Sequence, residues 1–164
     1  MSDIVPVEVI ESRIFVVRGQ KVMFDKDLAM LYGVETRRLI EQVKRNIKRF
    51  PSDFMFQLTK EEFYELRSHF ATSKRGGRRY LPYAFTEQGI AMLSSVLNSE
   101  RAIMVNIQIM RTFVKMRRMM LSYKDLKMKI ERLERKYDRK FKIVFDVLKK
   151  VLEPEIKEKR RIGF

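Results

Sequence analysis

From Met116 onward, apolar residues return at alternating intervals of three and four, and this rhythm dictates the form of everything that follows. Met116, Met119, Tyr123, Leu126, Ile130, Leu133, Tyr137, Lys140, Val144, Val147 and Val151 share one helical face, with Lys140 the only break. That spacing is the seam of an α-helical coiled coil. Residues 119–164 are therefore expected to form a basic helical extension. Met119, Tyr123, Leu126, Ile130, Leu133, Tyr137, Val144, Val147 and Val151 would serve oligomerisation, giving a homodimer or larger even oligomer. In a parallel pair, Lys129 would meet Glu134 across the seam. Near the end Phe141, Ile143, Phe145, Leu148 and Leu152 broaden the stripe beyond what two strands use. A larger bundle, or a helix folded back on its own domain, stays open there.

The remaining residues, 1–118, have the length of one ordinary domain. Charge narrows the partner: 36 Lys and Arg stand against 21 Asp and Glu, a net +15 that repels itself unless it meets a polyanion. The chain has no cysteine, which removes disulfides, thiol chemistry and zinc fingers. Its one histidine, His69, reads as a surface or helix-end residue. No metal, cofactor or small-molecule substrate is expected. No apolar run approaches a membrane span, and MSDIVPVEVIES lacks the pattern of a secretory signal. The expectation is a cytoplasmic protein without a membrane partner.

Local signals describe an α+β domain: a small sheet or hairpin with a helix-turn-helix, then the long helical coiled-coil extension. RIFVVRGQKVMF (13–24) reads as a hairpin around Arg18-Gly19-Gln20, with Val7–Ile10 as a further short strand. Asp25 is placed to cap a helix bearing Leu28, Ala29, Leu31 and Tyr32. Gly33 would stop that helix in the left-handed conformation. Thr36 is the N-cap expected for a second helix, running to about Arg49 before Pro51. Residues 54–58 suggest a strand, Thr59-Lys60-Glu61-Glu62 a capping box with a helix to about Ser68, and 80–85 a strand kept at an edge by Pro82. Thr86 starts a helix to Leu97, and Asn98-Ser99 restarts the chain as a long helix.

Within this frame, residues 27–47 carry the grammar of a helix-turn-helix: small Ala29, turn Gly33, then apolar Val34 and Leu39. On the second helix Leu39, Ile40, Val43 and Ile47 fall on one face, and the cations fall largely on the other. Such a helix suits a major groove. The DNA-binding candidates there are Thr36, Arg37, Arg38, Gln42, Lys44, Arg45, Asn46, Lys48 and Arg49. Arginines can fork onto guanine, lysines neutralise phosphate, and Gln42 and Asn46 can pair with adenine. A basic loop, SKRGGRR (73–79), adds Lys74, Arg75, Arg78 and Arg79 as a wing on the backbone or minor groove.

The stretch from Ile14 to about Val114 resembles the phage ORF-six N-terminal DNA-binding domain, a relative of the KilA-N and Bro-N domains. The resemblance lies in VVRGQKVMFDKDLAMLYGVETRRL, VKRNIKRFPSDFMFQLT, GGRRYLPYAFTEQGIAMLSSVLNS and RAIMVNIQIMRTFV, in that order. It implies a compact α+β DNA-binding domain, often from a phage or prophage, with no enzymatic site. Together with the cations, the expected function is a double-stranded-DNA-binding transcriptional regulator of phage or prophage origin. Three competing functions are weaker on the residues. A nuclease needs clustered carboxylates for Mg²⁺, whereas Asp53 and Glu61-Glu62 are scattered turn and capping residues. Single-stranded RNA binding needs exposed aromatic platforms. A protein–protein adaptor using the coiled coil, with non-specific nucleic-acid binding, is the alternative, but it gives no reason for cations gathered on the second helix and the 74–79 loop.

Overall fold

The computed structural model describes residues 5–70, 80–136 and 142–152. The fold is α+β: an antiparallel four-stranded sheet with helices on both faces, followed by a long C-terminal helix.

The hairpin joins β1 (Phe15–Val17) to β2 (Gln20–Phe24), with Val17 opposite Gln20. Gln20 thus belongs to the strand, and the turn is only Arg18-Gly19. Both have positive φ, 53° and 74°, as a two-residue turn that follows the natural strand twist requires. A left-handed conformation costs a non-glycine residue about 1–2 kcal/mol. Arg18 offsets this through its side chain, which stacks 4.2 Å from the Phe56 ring and forks onto Glu62 with two 2.9 Å hydrogen bonds.

Strand β2 also pairs with β4 (Tyr83–Thr86), and β4 pairs with β3 (Met55–Gln57), giving the order β1-β2-β4-β3. The strand expected at an edge is therefore central. Pro82 does not prevent this because it lies one residue before the ladder, where no N–H is needed, and its carbonyl accepts the Leu58 N–H at 2.9 Å.

Strand alternation divides the core. Phe15, Val17, Val22, Phe24 and Ala84 face one way, toward Leu66 and Phe70. These last two come from α4 (Lys60–Glu65), its cap and α5 (Arg67–Phe70). Met23 and Phe85 face the other way, into the larger cluster built by the remaining helices. The capping box at Thr59 forms as expected, with Thr59 and Glu62 bonded reciprocally. The single helix expected to follow it breaks at Leu66 into α4 and α5.

On the larger-cluster face lie α2 (Asp25–Tyr32), α3 (Thr36–Arg45), α6 (Glu87–Val96) and the start of α7 (Glu100–Lys136). Val7–Ser12 forms α1, a helix rather than the expected strand. The alternation of Val7 and Val9 was overridden because the available partner is α7, against which Ile10 becomes fully buried while Val9 stays exposed. Gln108 of α7 holds this segment, donating to the Val5 carbonyl at 2.6 Å and accepting the Val5 N–H at 3.2 Å.

Past Met116, α7 leaves the core and most of its apolar residues are exposed. A further helix, α8 (Lys142–Leu152), packs against α7 in the reverse direction. Lys149 reaches Glu134 at 2.8 Å. On one continuous helix residues 15 apart would be separated by about 22 Å. The straight seam from Met116 to Val151 is thus corrected to a helical hairpin. Glu134 is engaged within its own chain, and Lys129 pairs with Asp125 at 3.3 Å, so neither pairing matches the one expected across a parallel seam. Tyr137 lies outside the described residues.

Candidate nucleic-acid interface

The turn between α2 and α3 is built from sequence-local rules. Gly33 takes φ 73°, its N–H bonds to the Met30 carbonyl at 3.2 Å, and the Val34 N–H bonds to the Ala29 carbonyl at 3.0 Å. This paired closure ends α2 sharply. Ala29 is 1% exposed, as expected of the small residue where two helices meet. Asp25 proves to be the first residue of α2 rather than its cap. Its buried carboxylate accepts the Lys26 N–H at 2.8 Å and the Tyr83 N–H at 3.4 Å, joining the helix start to β4. Thr36 likewise is the first helical residue of α3. Glu35 holds the cap position and makes no side-chain cap bond.

Helix α3 buries Leu39, Ile40 and Val43 and leaves Arg37, Arg38, Glu41, Lys44 and Arg45 exposed. At 100° per residue these five span an arc of about 120°, a continuous outward face. Gln42 borders this face, whereas Thr36 and Asn46 fall toward the buried side at the two ends of the helix, and all three are half-buried. Ile47, expected on the buried face, is 52% exposed. The chain leaves α-helical geometry at Asn46 and tightens into a 3₁₀ turn over Ile47–Arg49, so a wheel drawn at the α-helical period misplaces Ile47. That turn presents Lys48 and Arg49 to solvent beside α3.

The side-chain bonds grade the candidates. Arg37 is shared by Glu35 at 3.7 Å and Glu41 at 4.0 Å, both solvated pairs of little strength. Arg38, Lys44, Arg45 and Lys48 form no ion pair among the described residues. Asn46 gives one of its two amide N–H donors to the Gln42 carbonyl at 2.8 Å, which holds that side chain against the end of its own helix. Lys74, Arg75, Arg78 and Arg79 lie outside the described residues.

Of three positioning contacts that sequence reading missed, two gave no local signal. Arg101 of α7 donates from Nε to the Leu31 carbonyl at 3.0 Å, bonding the C-terminal end of α2 beneath Gly33. The fully buried Tyr32 hydroxyl donates to Asn106 Oδ1, and Asn106 Nδ2 donates to the Ile90 carbonyl at 2.7 Å. Burial holds the Tyr32 phenol well above its ordinary pKa, so it stays a donor. One polar chain thereby joins α2, α6 and α7. The third contact did leave a trace, a glycine inside a helix: Gly89 of α6 lies against the Phe54 carbonyl, and a Cβ there would stand 2.0 Å from that oxygen.

Among the described residues, no group of three or more His, Cys, Asp or Glu is placed to hold a metal ion. No helix among them is long and apolar enough to cross a membrane.

Fold and surface together define an α+β domain that presents a cation-edged helix through a tight helix-turn-helix. The ORF6N domain model matches residues 12–96, and the chain belongs to that family. No curated protein and no solved structure matches the chain.

Proposed function

We propose that this protein is a sequence-reading, double-stranded-DNA-binding protein of phage or prophage type that regulates transcription, without catalytic activity. In this reading α3 enters the major groove, the 74–79 loop lies on the backbone, and the protein acts as a homodimer or larger even oligomer in the cytoplasm. The observation that carries the reading is the exposed arc of α3. Residues 36–49 hold six cations and one anion, and the three apolar residues of α3 itself all point inward. Membership of the ORF6N family supports the same conclusion. The proposed self-association would serve sequence reading, because a single helix-turn-helix spans few base pairs, whereas a two-fold pair reads two half-sites about one helical turn apart.

Arg38 and Arg45 project from one side of the arc without competing carboxylates, so they are the bases' readers in this proposal. Genomic fragments retained by the intact protein would define a site by sequencing. Binding to that site is then compared with binding to a scrambled duplex. Arg38→Ala and Arg45→Ala should each weaken site binding by about 1–3 kcal/mol and relax base preference. Lys48→Ala should weaken both duplexes alike. Equal losses on both duplexes for all three variants would overturn the assignment of α3 as the reading helix.

A further inference from the structure

We propose that the outer face of α8 is a self-association surface, and that two α7–α8 hairpins pair through it into a four-helix bundle. The proposal deepens the pairing of protomers in the functional reading by naming its surface. The inner side of α8 is used within the chain, where Phe145, Lys149 and Leu152 are half-buried and the Lys149–Glu134 bridge closes the hairpin. On the opposite side Ile143, Val144, Val147, Leu148 and Val151 are 76%, 55%, 54%, 44% and 69% exposed. Their spacing of one, three, one and three residues makes one continuous stripe, broader than a two-stranded seam.

Area points to a second copy. The open surface of these five side chains is on the order of 500 Å², toward the upper end of what a monomer leaves in one patch. Adding Met119, Leu126 and Leu133 of α7, exposed by 40%, 44% and 43%, brings it near the ~800 Å² per partner of a stable complex. Charge does not oppose a second copy, since Asp146, at the edge of the stripe, is matched at 3.7 Å by Lys149 of its own helix. An identical stripe meets apolar surface with apolar surface across a two-fold axis.

Because the chain contains no cysteine, a single introduced thiol reports this contact. With the two-fold axis placed at the middle of the α8 stripe, Val147 faces its own copy, so full-length Val147→Cys with added oxidant should give a disulfide-linked dimer without DNA. Met128→Cys, on the far side of α7, should stay uncrosslinked. The intact protein should sediment as a dimer or tetramer at micromolar concentration, and Val147→Glu with Val151→Glu should reduce its mass at least twofold. A monomeric intact protein with no Val147→Cys crosslink overturns the proposal. So does dissociation by Leu126→Glu alone while the α8 double variant stays paired, because the seam would then run along α7. Neither readout involves DNA, so this surface and the DNA reading can fail separately.

Discussion

At the scale of single residues, the contacts that fix this domain are backbone contacts made by unassuming side chains. Thr86 caps α6 by accepting the Gly89 N–H at 3.4 Å while donating toward the Asp53 and Phe54 carbonyls, at 2.9 and 3.2 Å. The Phe54 carbonyl also accepts the Thr86 N–H at 3.0 Å. Gly89 is what lets α6 approach that oxygen. Elsewhere in a helix, glycine costs about 1 kcal/mol relative to alanine. At this position the sign reverses, since a methyl 2.0 Å from a backbone oxygen can be relieved only by moving α6 or β3. Gly89→Ala should destabilise the protein by about 3 kcal/mol, at the upper end of overpacking costs. Denaturant unfolding of the intact chain measures it, and an unchanged or raised midpoint would contradict the packing described.

Among elements, the hairpin and α4 are joined by Arg18 and Glu62, 44 residues apart. Hydrogen bonding from Arg18, opposed by partial burial and aided by the Thr59 N–H, holds the Glu62 carboxyl below the usual carboxylate range. A carboxyl depressed in the folded state stabilises the fold above its unfolded pKa, and that contribution is lost as pH falls through the folded value. Stability should therefore decline on acidification below the ordinary glutamate range of about 4.3. Glu62→Gln should lower stability at neutral pH and flatten that part of the profile. The gap between the two proteins should close with acidification, as thermal melts across pH would register. A constant gap would mean that the bridge contributes nothing. The bridge also explains how a non-glycine residue occupies the first turn position of the hairpin.

For the whole molecule, the governing quantity is a net charge of +15 joined to a surface that gathers six cations within residues 36–49. If about six phosphates are neutralised, duplex affinity should fall roughly 10³-fold between 50 and 200 mM salt. Fluorescence anisotropy with a labelled duplex across that range gives the slope, and a flat response would remove the polyanion from the reading. The positioning bonds from α7 give this surface a fixed base. Arg101 and Asn106 tie α2, which carries α3 through its turn, to the helix that later forms the C-terminal hairpin, so α3 and the proposed pairing surface share one continuous support.

What the sequence determined by itself was set by interactions within a few residues. Gly33 ends α2 because its backbone tolerates φ 73°, Thr59 and Glu62 close their box across three positions, and Leu39, Ile40 and Val43 mark the buried face of α3 by period alone. The α+β class, the hairpin and the family were legible for the same reason, as was the restart at Ser99, whose hydroxyl accepts the Ala102 N–H at 3.1 Å. Tertiary structure decided whatever depended on a distant partner. Residues 7–12 became a helix because α7 offered them a surface, and β4 became central because β2 and β3 lay free on either side of it. The heptad rhythm specified helices with an apolar face, but periodicity does not record whether the chain runs straight or reverses. The packing of α8 on α7, closed by Lys149 on Glu134, distinguished the two, because folding a helix back leaves its pattern unchanged while turning part of the seam into an intrachain contact.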